Sequence, residues 1–438
     1  MFENDYVWDA FYDPLMNVMD KLKKKGILYY RTLSINANQE EFNYMKKKSF
    51  YSNLDEKNRY ILNCCFFVFA VNGLYSMILG SFLPIISTEY GLNNTMSGIL
   101  LSAHQVGNLI SGFIAGILPL YLGRKKSIMF LCCFVIMGFL IMIITGNPVL
   151  LILGFLFTGL SRGSISNFNN TVVNEVSNSS SSALNFLHSV FAVGALIAPF
   201  LVIICTSMAG DIGWKIAAVV IIILAIISIL LFSRMEIDDA PKKKEKVIIS
   251  YEFLKSKFFW ISAGILFFYL CAEATINGWL VKYFIDSSIM TIKYAQMLAS
   301  LLWVVILAGR LTCAYIGDKI SKKKLLLITS IGTVLFYLLL LSSRDLTIIT
   351  IAIMGLGFSM AGIYPTTVSS IGNIIKAYPM SMGVLLMIGG IGAIIMPIIT
   401  GALSDSFGIF AGMSAIVFAI VLMIICVVLS VVNKNDIA

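Results

Sequence analysis

The chain has 438 residues, is 58% hydrophobic and only 13% charged, and carries a formal net charge of +9. That much apolar surface cannot be hidden in the core of a water-soluble domain, so the solvent around most of the chain is lipid. The positive balance follows from basic loops and anionic-lipid contact, and calls for no nucleic-acid partner.

Residues 1–57 are polar, with lysine clusters at 23–25 and 46–48 and aromatics at Tyr6, Trp8, Phe11 and Tyr12. No long apolar run follows a basic start, so no secretory signal is visible. Two readings of this segment stand open. Asp13 to Lys25 forms a short amphipathic helix on the membrane surface, or Met45 is the natural start and the 44 residues before it are dispensable.

Beyond it come twelve apolar stretches, near 60–88, 97–121, 127–146, 149–172, 183–206, 214–233, 258–284, 294–316, 323–342, 347–372, 380–403 and 408–432. Each is long enough to cross a bilayer, which takes roughly 20 residues. A lone apolar segment in lipid must satisfy its own backbone hydrogen bonds, so each is expected to be a helix. The expected fold class is an all-α polytopic membrane protein of two six-helix bundles. The division is a cytoplasmic segment 1–57, a first bundle 58–234, a cytoplasmic linker 235–256 containing DDAPKKKEK, a second bundle 257–433 and a tail 434–438.

Cationic loops alternate with nearly uncharged ones. Arg124 to Lys126, Lys242 to Lys246 and Lys319 to Lys324 fall on one side, with isolated Lys215, Lys293 and Arg344 on the other. Basic loops resist translocation, so both termini are expected in the cytoplasm of a cell whose plasma (inner) membrane holds the chain. The eight cysteines lie in apolar spans without metal-ligand or disulfide spacing, and read as free thiols.

The chain repeats itself. GALIAP from Gly194 returns 198 residues later as GAIIMP from Gly392, and LGRKKS from Leu122 returns at the same offset as ISKKKL from Ile320. Two parallel bundles related by an axis along the membrane normal are the architecture of many secondary transporters, which rock to expose a midplane site to each side in turn.

GILPLYLGRKK from Gly116 and AYIGDKISKKK from Ala314 resemble the loop signature GxxxDRxGRR of the major facilitator superfamily. Leu120 and Tyr121 replace its Asp and Arg in the first half, whereas Asp318 keeps an acid in the second. The resemblance implies the major facilitator fold and a gating latch, with Gly123, Arg124 and Lys125 in one half and Gly309, Arg310 and Asp318 in the other. Charge pairs and helix-end dipoles would hold such a latch in one state.

ALNFLHSVFAVGALIAP (183–199), GWLVKY (278–283), IYPTTVS (363–369) and GGIGAIIMPIITGALSD (389–405) are similar to the fucose:proton symporter branch. That branch implies proton-linked sugar uptake and substrate contacts from Asn185 and from a carboxylate–asparagine pair in the fourth helix. Asn170 fits the asparagine, but Ser166 occupies the acidic position, and the first span offers Asn72 and Ser76 with no acid.

Ionisable groups at membrane depth face a cavity or a partner. Glu273 lies midway along the seventh span, four residues before Asn277 and so on the same helical face. It is the expected proton-coupling or hydroxyl-binding group, or else a fixed partner of Arg162. Arg162, in GLSRGSISNFNN, has a planar fork that also suits an acidic solute. Asn167, Asn169, Asn170, Asn185 and Asn277 offer amides that donate and accept to sugar hydroxyls, and His188 is a candidate proton relay. His104 is a weaker candidate. Tyr269, Trp279 and Tyr364 supply aromatic faces, Trp279 and Tyr283 equally suit an interfacial belt, and Pro365 after Tyr364 is expected to bend its helix. Arg310 lies within snorkelling or latch distance of the cytoplasmic helix end, which argues against its being a substrate ligand.

With two histidines in all and no HExxH, Walker loop or nucleophile elbow, the chain reads as neither an enzyme nor a cofactor protein. The expected function is proton-coupled uptake of a small polar solute, a sugar or sugar derivative, by a monomer in the lipid bilayer. The alternatives are an uncoupled facilitator or exporter of an organic, even acidic, solute, and a membrane sensor that binds without transport.

Overall fold

The computed structural model describes residues 51, 54–178, 180–237, 250–316, 319–378 and 380–432, and from Asp55 onward the chain is one compact unit. The expected surface helix over 13–25, Met45, the middle of the linker and Asp318 lie outside the described residues.

The described residues hold twelve spanning helices and no strand. The first half contains α1 (Glu56–Glu89), α2 (Asn94–Ile117), α3 (Arg124–Ile144), α4 (Pro148–Val176), α5 (Ser181–Ala209) and α6 (Gly213–Arg234). The second contains α7 (Lys257–Asp286), α8 (Ile292–Ile316), α9 (Lys322–Ser342), α10 (Leu346–Met360), α11 (Met380–Phe407) and α12 (Ile409–Val432). By length and apolarity they form 11 continuous stretches, because α5 and α6 run together over 53 residues. What separates them is a 3-10 turn at Gly210–Ile212, where Gly210 takes φ +59°. Gly408, 198 residues later, takes φ +87° between α11 and α12. Both are left-handed positions that favour glycine, so one turn is written twice.

Short polar caps start the helices. The side chains of Asp55, Asn93, Asn147, Ser256 and Asp345 each accept a backbone N–H from the first turn that follows. α10 stops at Met360 and resumes as a short helix, Ile363–Ser370. Pro365 has no N–H to give and its ring crowds the carbonyl four residues back, which puts the break where the sequence calls for a bend.

The repeated glycine motifs have a shared purpose. Gly194 of α5 lies directly on the backbone carbonyl of Ala70 in α1, and Gly392 of α11 lies on that of Phe267 in α7. A methyl group at either would overlap main chain, which cannot move as a side chain can. Gly194→Ala should therefore lower the thermal unfolding midpoint of the purified protein by an amount equivalent to about 1–3 kcal/mol. Gly383→Ala, where nothing stands within 4 Å of the added carbon, should leave it unchanged or raise it. Equal losses at both sites would remove close packing as the reason for the motif.

The two halves meet through α2 against α11, α5 against α8 and α1 against α7. Ser102 Oγ donates to the Ile394 carbonyl at 2.6 Å, and Ser300 Oγ donates to the Leu196 carbonyl at 3.1 Å. The donors are 198 residues apart, and so are the acceptors, so one pseudo-symmetry relates the two interfaces.

Toward the end away from the linker these interfaces are tight. Gln296 Nε2 donates to the Ser81 carbonyl at 3.0 Å, and Asp405 binds the start of α2. Toward the linker end the same helix faces part. On α5, Leu196 accepts from α8 and Ala192 is buried, but His188 and Asn185 are exposed. On α11, Ile394 accepts from α2 and Gly390 sits against Leu109, but Leu386 is exposed and Gly383 has open space beside it. A cleft between the halves therefore opens at the linker end.

Candidate functional site

Two helix faces bring polar groups to the wall of this cleft. On α7, Tyr269, Glu273 and Asn277 are spaced four apart and share one face. Tyr269 Oη donates to Glu273 Oε1 at 2.9 Å, and Asn277 Nδ2 donates to the Glu273 backbone carbonyl at 2.8 Å. Asn277 also borders a narrow crevice of about 10 Å3 between the halves, together with Pro199 and Trp303.

On α4 the corresponding stripe is Arg162, Ser166 and Asn170. Asn72 of α1 ties it down: its Nδ2 donates to Ser166 Oγ at 3.2 Å and to the Arg162 carbonyl at 3.3 Å. Ser76 Oγ donates to Asn72 Oδ1 at 3.3 Å, and Asn170 Nδ2 donates to the Ser166 carbonyl at 2.8 Å. Serine at 166 thus joins an amide and hydroxyl cluster with no carboxylate in it.

Arg162 is set in place by a residue that the sequence made look minor. Its Nη1 lies 3.3 Å from Nε2 of the buried His104, whose Nδ1 lies 2.9 Å from Thr158 Oγ1. Thr158 Oγ1 donates its proton to the Phe155 carbonyl at 2.7 Å. The hydroxyl must then accept from Nδ1–H, which leaves the Nε2 lone pair free to accept from the guanidinium. The approach depends on Gly159, which lies directly on the His104 carbonyl. Gly159 and Leu160 recur as Gly355 and Leu356, two residues out of register with the 198-residue offset, and that repeat is the signal in the sequence that bears on this contact.

The salt bridges among the described residues are Lys57–Glu236, Arg124–Glu175, Lys215–Glu89 and Lys282–Asp286. Glu273 and Arg162 are thus not an ion pair at 4.0 Å or less, and the fixed structural pair considered from the sequence does not form in this conformation. Glu273 acts on Arg162, Tyr269 and Tyr364 through space, and Arg310 acts on His188, Tyr269 and Tyr364. His188 also packs edge-on against Phe69, with ring centroids 5.6 Å apart.

Other candidates lie elsewhere. Trp279 is 0% exposed and its indole N–H has no acceptor, so it is closed to a solute in this state, and Tyr283 is buried beside it rather than at an interface. Asn169 is buried and donates to the Cys65 carbonyl, while Asn167 is exposed and its carbonyl accepts from Thr171 Oγ1. At the linker end, Arg124 Nη1 meets Glu175 Oε2 at 3.0 Å inside the first half. Lys322 Nζ, 198 residues after Arg124, donates to the Ser369 carbonyl at 2.7 Å inside the second. Gly123, with φ +77°, opens α3 just ahead of the half-buried Arg124 and Lys125, and Gly309 lies against Phe358 and Ala361 of the α10 segment. These loops brace their own bundles in this conformation. The cysteines are free thiols, with Cys64, Cys65, Cys132, Cys205 and Cys271 buried.

Comparison with known proteins agrees with this architecture. The family profile described as Major Facilitator Superfamily matches residues 65–311 and 288–436. The Protein TsgA homolog of Buchnera aphidicola subsp. Baizongia pistaciae is 23% identical over 381 residues, covering 85% of this chain and 97% of that protein. The Glucose transporter GlcP of Staphylococcus epidermidis is 31% identical over 110 residues, 24% of each chain. The inward-facing and occupied structure of a bacterial homolog to the human lysosomal transporter Spinster superimposes with a TM-score of 0.70 at 15% identity, over 86% of this chain and 97% of that one. With twelve spanning helices in a duplicated arrangement among the described residues, a cleft between the halves and a profile match along most of its spans, the chain belongs to the Major Facilitator Superfamily of membrane transporters.

Proposed function

We propose that the chain carries a small polyhydroxylated solute of the sugar class into the cell together with a proton, by alternating access. The observation that carries this reading is the Tyr269–Glu273–Asn277 face. It places the carboxyl nearest the middle of a spanning helix, among the described residues, at the divide between two duplicated bundles. Amides on both sides of that divide, Asn170 and Asn185 in the first half and Asn277 in the second, have the donor and acceptor chemistry that hydroxyls need. The local likeness to a glucose transporter supports the same substrate class.

The alternation of basic loops supports a cytoplasmic linker end in a plasma membrane, and on that reading the open cleft is an inward-facing state. Serine at 76 and 166, where an acid would serve coupling, favours a second reading of facilitated movement without protons. Proteoliposomes holding the purified chain should take up labelled D-glucose, L-fucose or D-gluconate faster than empty vesicles. An inwardly directed proton gradient should raise that uptake. Binding without uptake makes the chain a sensor, and uptake indifferent to the gradient makes it a uniporter.

A further inference from the structure

Charge is distributed unevenly in this molecule. Near the helix ends, cations have acidic partners: Lys215 meets Glu89 at 2.6 Å, Lys282 meets Asp286 at 2.8 Å and Arg124 meets Glu175 at 3.0 Å. Arg162 of α4 and Arg310 of α8 do not, since neither has a carboxylate within 4.0 Å. Both are only partly buried, on helices from opposite halves that border the divide. The nearby carboxyl, Glu273, is hydrogen-bonded to Tyr269 instead. A guanidinium at membrane depth with no counter-ion is costly, and such residues face a partner or a water-filled space.

The contact to Arg162 makes the case stronger. The Thr158–His104 chain presents a neutral acceptor to one N–H of Arg162, which fixes the direction of the fork without neutralising it. The other four N–H donors of the guanidinium stay available in a planar array that matches a carboxylate. Two guanidinium groups and one carboxyl thus stand at the divide, an excess of cationic over acidic side chains that an anionic solute offsets.

We propose that the transported solute carries a carboxylate, and that Arg162 and Arg310 bind it jointly from the two halves. A sugar acid or related hydroxycarboxylate satisfies both the arginines and the amides of Asn170, Asn185 and Asn277. Because each half supplies one cation, the anion would draw the bundles together on the cytoplasmic side as the cleft closes over it. This rests on the transport reading above and narrows its substrate class.

The test is a thermal-shift comparison of the purified full chain with matched pairs at about 10 mM: D-glucose against D-gluconate, D-galactose against D-galacturonate, and glycerol against D-glycerate. At least one carboxylate should raise the unfolding midpoint while its neutral counterpart does not. Arg162→Gln and Arg310→Gln should each weaken the apparent affinity for that carboxylate roughly thirtyfold or more. Arg310→Lys should restore part of it, because the charge returns without the fork. Stabilisation by a neutral sugar equal to that by its acid overturns the carboxylate assignment and leaves the transport reading standing. So does retained affinity in both glutamine variants. No stabilisation by any of the three acids also overturns it, and labelled D-glucose uptake by the same preparation then shows whether the transport reading survives.

Discussion

Replacing Asp405 with alanine is expected to open the end of the molecule away from the linker. Asp405 lies in the last turn of α11, where its negative charge is unfavourable to the dipole of its own helix. It is held there by the start of α2 in the other half. One carboxylate oxygen accepts from Asn94 N at 2.9 Å, and the other accepts from Thr95 N at 2.7 Å and Thr95 Oγ1 at 2.6 Å. A carboxylate at a helix N-terminus meets both unsatisfied N–H groups and the positive dipole end. The site is exposed, so solvent reduces the gain to about 1–2 kcal/mol. That is still a factor of roughly 5–30 between two conformations of similar energy.

The symmetry copy of this contact is missing. In the repeat, Asp405 corresponds to Ser207 and Asn94 to Ile292, so the latch exists at the α2–α11 interface and not at α5–α8. Pulsed EPR distances between spin labels at Asp211 and Arg344, exposed loop positions of the two halves at that end, should gain a longer population in Asp405→Ala. An unchanged distribution would show that the three hydrogen bonds do not set the balance between states.

Much of the fold is readable from spacing alone. The offset between GALIAP and GAIIMP reappears in the Ser102–Ile394 and Ser300–Leu196 bonds and in the Gly210 and Gly408 turns. The Pro365 break follows from one missing N–H. What spacing does not give is the rotation of each helix about its axis. In water, an apolar stripe marks the buried face, but lipid is as apolar as the core, so no such contrast marks these spans. Trp279 therefore reads equally well as a belt residue, a sugar platform or the enclosed side chain it is. The pairing of His104 with Arg162 depends on how α2 and α4 are turned toward each other, and Asp405 reads only as the end of a motif until α2 is beside it.

Glu273→Gln should abolish accumulation against a gradient while leaving exchange intact. The glutamine amide keeps an oxygen to accept from Tyr269 Oη and leaves the backbone bond from Asn277 untouched, so the site keeps its shape. What it loses is the ability to gain and release a proton. The groups facing that carboxyl are Tyr269 on its own helix, Arg162 on α4, Tyr364 on the α10 segment and, through Tyr269 and Tyr364, Arg310 on α8. On the proposed symport reading, the carboxyl of Glu273 is the group that takes up and releases the coupled proton as the cleft alternates between the two aqueous phases. With one proton per solute and no membrane potential, a gradient of one pH unit supports about tenfold accumulation, equivalent to roughly 1.4 kcal/mol. In Glu273→Gln proteoliposomes the ratio should fall to about one, while counterflow of labelled against unlabelled solute continues at a rate within a few-fold of the parent protein, a comparison of transition-state free energies. Tenfold accumulation by the variant would place the coupling proton on another group, with His188 on the open face of α5 the first to examine.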